Sequence, residues 1–84
     1  MTVKIFYFAG LRESLGTASE DLALPAGVVT VGALLAHLAA RGGAWAALAR
    51  AKNLRVAVNQ DMAAKDAAVK DGDEVAFFPP VTGG

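Results

Sequence analysis

One helix-period stripe set between strand-period segments constrains this chain more than any other feature. Val31, Leu34, Leu35 and Leu38 recur at i, i+3, i+4 and i+7, the spacing of an amphipathic helix. Thr30 stands at the N-cap position, and Gly42-Gly43 stops the pattern. Most of the remaining regular pattern has the period of a strand. Residues 2–9, TVKIFYFA, are β-branched and aromatic, and residues 18–24, ASEDLAL, put Leu22 and Leu24 on one face. LRVAV at 54–58 and EVAFF at 74–78 complete the set. Between these runs, Leu11 and Leu15 ahead of Gly16 predict one or two helical turns with a glycine cap. A shorter helical piece is expected over 44–51, with Trp45 and Leu48 as its apolar contacts. Asn59-Gln60-Asp61 and Lys70-Asp71-Gly72-Asp73 are turn chemistry, and Met62-Ala63 allows a very short strand.

Two strands, one main helix and then more strands do not make the alternation of a doubly wound sheet. The order predicts an α+β fold of the β-grasp, or ubiquitin-like, type. Its mixed sheet of four to five strands carries the helix on one face, and the first and last strands are parallel neighbours in the middle. The 84 residues suffice for one such domain, expected over 1–78, with 79–84 as an extended tail. Eight basic and eight acidic residues cancel, which argues against nucleic acid as a partner. Without cysteine there is no disulfide framework, thiolate metal site or cysteine nucleophile. No apolar run reaches the roughly 20 residues that span a bilayer, and the N-terminus lacks the pattern of a signal peptide. The expected setting is cytoplasmic, without a membrane partner.

A sheet with a helix on one face normally exposes polar side chains on the other. Here Val3, Ile5, Tyr7, Val56, Val58, Val75 and Phe77 are enough to fill the core. That leaves Phe6, Phe8, Ala57, Ala76 and Phe78 on the outer face, with Met62 nearby. A connected apolar patch on a small domain marks a partner surface. The tail extends the same idea. Pro79-Pro80 cannot continue a strand ladder and favours an extended chain. Val81, Thr82, Gly83 and Gly84 follow with small or absent side chains, a slim tip ending in a carboxylate. His37 lies off the helical stripe and reads as a surface histidine. Asp71, Asp73 and Glu74 around Gly72 have the spacing of a hairpin turn, so no metal site is expected.

VNQ at 58–60, DGDEVAFFPP at 71–80 and the terminal VTGG closely resemble the small, sulfur-carrier subunits of molybdopterin synthase. So does the opening strand running into Phe8-Ala9, Arg12-Glu13 and Gly16. The resemblance spans essentially the whole chain and is most specific at its C-terminal end. It implies a ubiquitin-like fold and a chemistry centred on Gly84, with Gly83 beside it. A ubiquitin-activating-like enzyme adenylates the Gly84 carboxylate with ATP, and sulfur from a persulfide donor then replaces the adenylate. The resulting thiocarboxylate gives sulfur to cyclic pyranopterin monophosphate inside the large synthase subunit, in a heterotetramer. No cofactor is held permanently; the acyl-adenylate and thiocarboxylate are transient. The chain is not catalytic alone and contributes the sulfur-donating part of a transferase. The implied partner surface comprises Phe8, Arg12, Met62 and Phe78, with Pro79, Pro80, Val81 and Thr82 leading to the tip. The alternatives are the thiamine-pathway sulfur carrier, a ubiquitin-like modifier joined to lysines through Gly84, and an interaction module with an inert tail.

Overall fold

A computed structural model describes residues 2–50 and 54–79. The chain runs β1 (Thr2–Tyr7), α1 (Gly10–Leu15), β2 (Ser19–Ala23), α2 (Val31–Ala39), a 3-10 turn (Gly43–Ala46), α3 (Ala47–Arg50), β3 (Arg55–Val58), β4 (Asp61–Ala63) and β5 (Glu74–Phe78). All five strands form one sheet in the order β2-β1-β5-β3-β4. β1 and β5 pair in parallel at its centre, and every other neighbouring pair is antiparallel. This is the expected β-grasp order. The segment anticipated over 44–51 divides into a 3-10 turn and a short α-helix, and the first strand ends at Tyr7 rather than at residue 9.

α2 has nine residues, too few for stability in isolation. Packing holds it: Val31, Leu34, Leu35 and Leu38 are all buried against Val3, Ile5, Tyr7, Val56, Val75 and Phe77. Its first amides are satisfied from two sides. Thr30 Oγ1 accepts from Ala33 N–H at 3.1 Å, while Val31 and Gly32 N–H donate to the carbonyls of Ala67 (3.0 Å) and Lys65 (2.8 Å). A Cβ on Gly32 would stand 3.2 Å from the Lys65 carbonyl oxygen, so glycine there permits the loop's close approach. Val69 joins the core from that loop, and Leu48 from α3. Val58, expected inside, is only partly buried because it lies at the end of β3. Ala57 faces outward as expected but is buried, a methyl group between the taller side chains around it.

Tyr7 ties the core to the surface. Its ring stacks on Phe77 at 6.2 Å and meets Trp45 edge-on at 5.4 Å. Its hydroxyl donates to Glu20 at 2.9 Å. Arg41 grips the same carboxylate with two bonds of 2.8 and 2.9 Å and lies over the Trp45 ring at 4.4 Å. Burial, reinforced by the bond to Glu20, pushes the Tyr7 phenol well above its ordinary 10.0. The Arg41 guanidinium holds Glu20 below 4.5. Asp73 is held below 3.8, first by the Asn59 amide.

These shifts determine how stability should vary with pH. The depressed Glu20 and Asp73 values favour the folded state above pH 4.5 and 3.8, and that contribution is lost as pH falls through their folded values. The raised Tyr7 value contributes fully below pH 10.0 and is lost as pH climbs above it. Denaturant midpoints should therefore form a plateau with falling limbs on both sides. Glu20→Gln should flatten the acid limb and Tyr7→Phe the alkaline one. An alkaline limb unchanged in Tyr7→Phe would contradict the assignment.

Candidate functional site

The outer face of the sheet holds an open groove of about 410 Å³. Ala57 and Ala76, opposite one another in the β3–β5 register, form its floor. Phe6, Phe8, Phe78 and Met62 wall it, and Gln60 and Glu74 close one end. The Phe8 and Phe78 rings stack at 4.9 Å, 8° from parallel, with Phe6 continuing the stack to Phe8 at 6.3 Å. Phe8 is 43% exposed and Met62 63%, unusual for large apolar side chains. The structure thus unites Phe8, Met62 and Phe78 as anticipated and adds Gln60 and Glu74. Arg12 is exposed on α1, outside the groove lining. Pro79 is half-buried at the end of β5; Pro80, Val81, Thr82, Gly83 and Gly84 lie outside the described residues.

The position of β5, and so of Phe78, is controlled by a polar joint that sequence reasoning took for two separate turns. Asn59 and Gln60 both have positive φ (51° and 73°), the backbone of a tight two-residue hairpin. Asn59 joins β5 through its backbone, donating from N–H to the Glu74 carbonyl at 2.8 Å. Its side-chain oxygen accepts from Glu74 N–H, and its amide donates to Asp73 Oδ1, each at 3.0 Å. Asp73, 5% exposed, also accepts from Lys70 N–H at 2.9 Å. Gly72 N–H donates to the Thr2 carbonyl at 2.8 Å, and Lys4 N–H to that of Asp73 at 3.0 Å. Of the acidic cluster, the Asp73 carboxylate is consumed in this joint and Asp71 Oδ1 accepts from Thr2 N–H at 2.7 Å, while Glu74 lines the groove. No group of three or more histidine, aspartate or glutamate side chains suited to a metal occurs among the described residues.

The other end of the groove is held by a backbone feature that the sequence does not announce. Phe8 N–H donates to the Phe77 carbonyl at 3.2 Å, and the chain then turns through Ala9 at φ 51°, ψ −129°. This is a conformation suited to glycine, costing an alanine about 1–3 kcal/mol. Ala9→Gly should relieve that strain, less roughly 0.5–1 kcal/mol for glycine's freer unfolded chain. The expected gain is about 1 kcal/mol, read as a higher urea midpoint at unchanged slope. A lower midpoint would argue against a strained Ala9.

One mixed five-stranded sheet with a main helix on one face and an apolar groove on the other defines a ubiquitin-like β-grasp protein. Residues 5–84 match the ThiS family, and the chain belongs to it. It is 46% identical to the molybdopterin synthase sulfur carrier subunit of Escherichia coli, over 98% of this chain and 99% of that one. It is 42% identical to the subunit of the same name from Haemophilus influenzae, over the same shares. Among solved structures, SAMP1 from Haloferax volcanii superposes with a TM-score of 0.78 at 32% identity, over the full length of both chains.

Proposed function

We propose that this chain is the sulfur carrier subunit of a molybdopterin synthase. The observation that carries this reading is the near-full-length identity to carriers of that name, 46% in the Escherichia coli protein. The groove supports it physically. Its Phe8–Phe78 wall directly precedes Pro79, so a partner seated on the groove receives whatever follows Phe78. Molybdopterin synthase's large subunit is the partner this reading requires, together with an adenylating enzyme and a persulfide donor, in the cytoplasm.

The chemistry then falls on Gly84. A carboxylate is a poor electrophile, and transfer of an adenylyl group from ATP gives its carbon a good leaving group. The terminal sulfur of the persulfide displaces AMP to give an acyl disulfide. A second thiol then cleaves the S–S bond, releasing the thiocarboxylate and leaving the donor as a disulfide. The thiocarboxylate is ionised at neutral pH and acts as a soft nucleophile toward the pterin precursor as the dithiolene is built. This chain supplies position and sulfur, while its partners supply the acid, base and electrophilic groups.

The test is the intact mass of the chain after incubation with ATP, the cognate adenylating enzyme and a persulfide donor. An increment of one oxygen exchanged for sulfur, located on Gly84, is expected. An unchanged mass, with enzyme and donor active on a control carrier, would overturn the reading. Isopeptide-linked products would instead favour a protein modifier.

A further inference from the structure

The outer sheet face is complementary to itself, and we propose that a second copy of this chain docks there as a symmetric dimer that covers the groove. Strand register arranges the charges. Asp21, Lys4 and Glu74 lie side by side across β2, β1 and β5, so two carboxylates flank one ammonium at that end. At the opposite end Arg55 pairs with Phe78, adjoining the Phe8 ring. The apolar floor lies between these ends. No salt bridge occupies Arg55, Lys4, Asp21 or Glu74 among the described residues.

Two such faces can stack about a two-fold axis in the interface. An axis along β5 would set Glu74 against Glu74, and one along the β1–β5 seam would pair each Glu74 with the other's Lys4 while carrying Arg55 over the partner's β2, away from Glu74. An axis across the strands, near Ala76, reverses one copy end for end. Glu74 of each copy then approaches Arg55 of the other, and each Lys4 ammonium meets the other's Phe8 ring, a cation–π arrangement. Only the transverse axis engages Glu74, Arg55 and Lys4 together, so charge favours it, and the symmetry makes each contact twice. Packed sheets keep their strands within about 30° of alignment, which this antiparallel stack satisfies.

The footprint sets the strength. Five strands about 4.8 Å apart, each about five residues long at roughly 3.3 Å per residue, present about 400 Å². A standard stable interface needs about 800 Å² per partner. The dimer is therefore weak and reversible, and a partner that also reaches the tail displaces it. That last consequence rests on the function proposed above; the self-association does not.

Sedimentation of the full chain alone, from micromolar to millimolar concentration, tests the proposal, with amide shifts of Phe6, Ala57 and Ala76 followed in parallel. Sedimentation and shifts should change together with concentration, and added salt should weaken the change. Glu74→Arg and Arg55→Glu, both at exposed positions, should each weaken self-association roughly tenfold through like-charge contacts. An equimolar mixture of the two variants should restore it, because both opposite-charge contacts re-form between unlike copies. A monomer at every concentration, shifts confined to another surface, or variants that fail to rescue one another would each overturn the dimer. None of these results bears on sulfur loading, and a failed mass shift would leave the dimer standing.

Discussion

Removing Gly84 is expected to abolish sulfur loading while leaving the melting temperature unchanged. The deletion shortens the greatest reach of the chain by about 3.3–3.6 Å, withdrawing the carboxylate by up to that distance from the groups that adenylate it. A misplacement of about 1 Å at a reacting centre can cost roughly a hundredfold in rate, so a fall of at least that size is expected. The core is untouched, since its members all lie between Val3 and Phe77. Single-turnover thiocarboxylation and a thermal melt, run on the same sample, give both readings. Loading at an undiminished rate would place the acceptor elsewhere than Gly84.

Phe78→Asp and Phe77→Ala, at adjacent positions, should fail in opposite ways. Phe77 is fully buried between Tyr7 and the α2 stripe. Truncating it should cost about 3–5 kcal/mol, a large share of the roughly 5–15 kcal/mol that holds a small domain folded. The variant is expected to melt at a much lower temperature by circular dichroism. Phe78 points the other way, stacked on Phe8 in the groove. Phe78→Asp loses an aromatic pair of about 0.5–1.5 kcal/mol and should still fold. It places a charge where an aromatic anchor should desolvate against the large subunit. Calorimetric titration should show a loss of at least about 2 kcal/mol, roughly thirtyfold in affinity. Unchanged affinity in a folded Phe78→Asp would remove the groove from the interface.

That two neighbouring phenylalanines divide so cleanly is legible in the sequence. The alternation of Glu74–Phe78 assigns Val75 and Phe77 to one face and Ala76 and Phe78 to the other, and burial follows it along β5. Val31, Leu34, Leu35 and Leu38 were equally readable, since a helix of 3.6 residues per turn allows them only one common face. The apolar outer face followed by subtraction: a small core could not absorb every aromatic residue in β1 and β5.

Contacts between residues far apart in the chain were hidden. Asn59 and Asp73 read as two turns, and the joint they form exists only once β3 and β5 are in register. Glu20 and Arg41 stand 21 positions apart, and nothing in their local patterns directs both to the Tyr7 hydroxyl. Ala9 gave no sign of its left-handed backbone, because a neighbouring hydrogen bond to β5 imposes it on a residue with no preference for it. The sequence alone determined which residues are helical, which are strands and which face each presents, because those properties have periods of 3.6 and 2 within single segments. Only the tertiary structure decided which charges meet, which backbone is strained and where the groove ends. Those depend on register between distant strands, which no local period encodes.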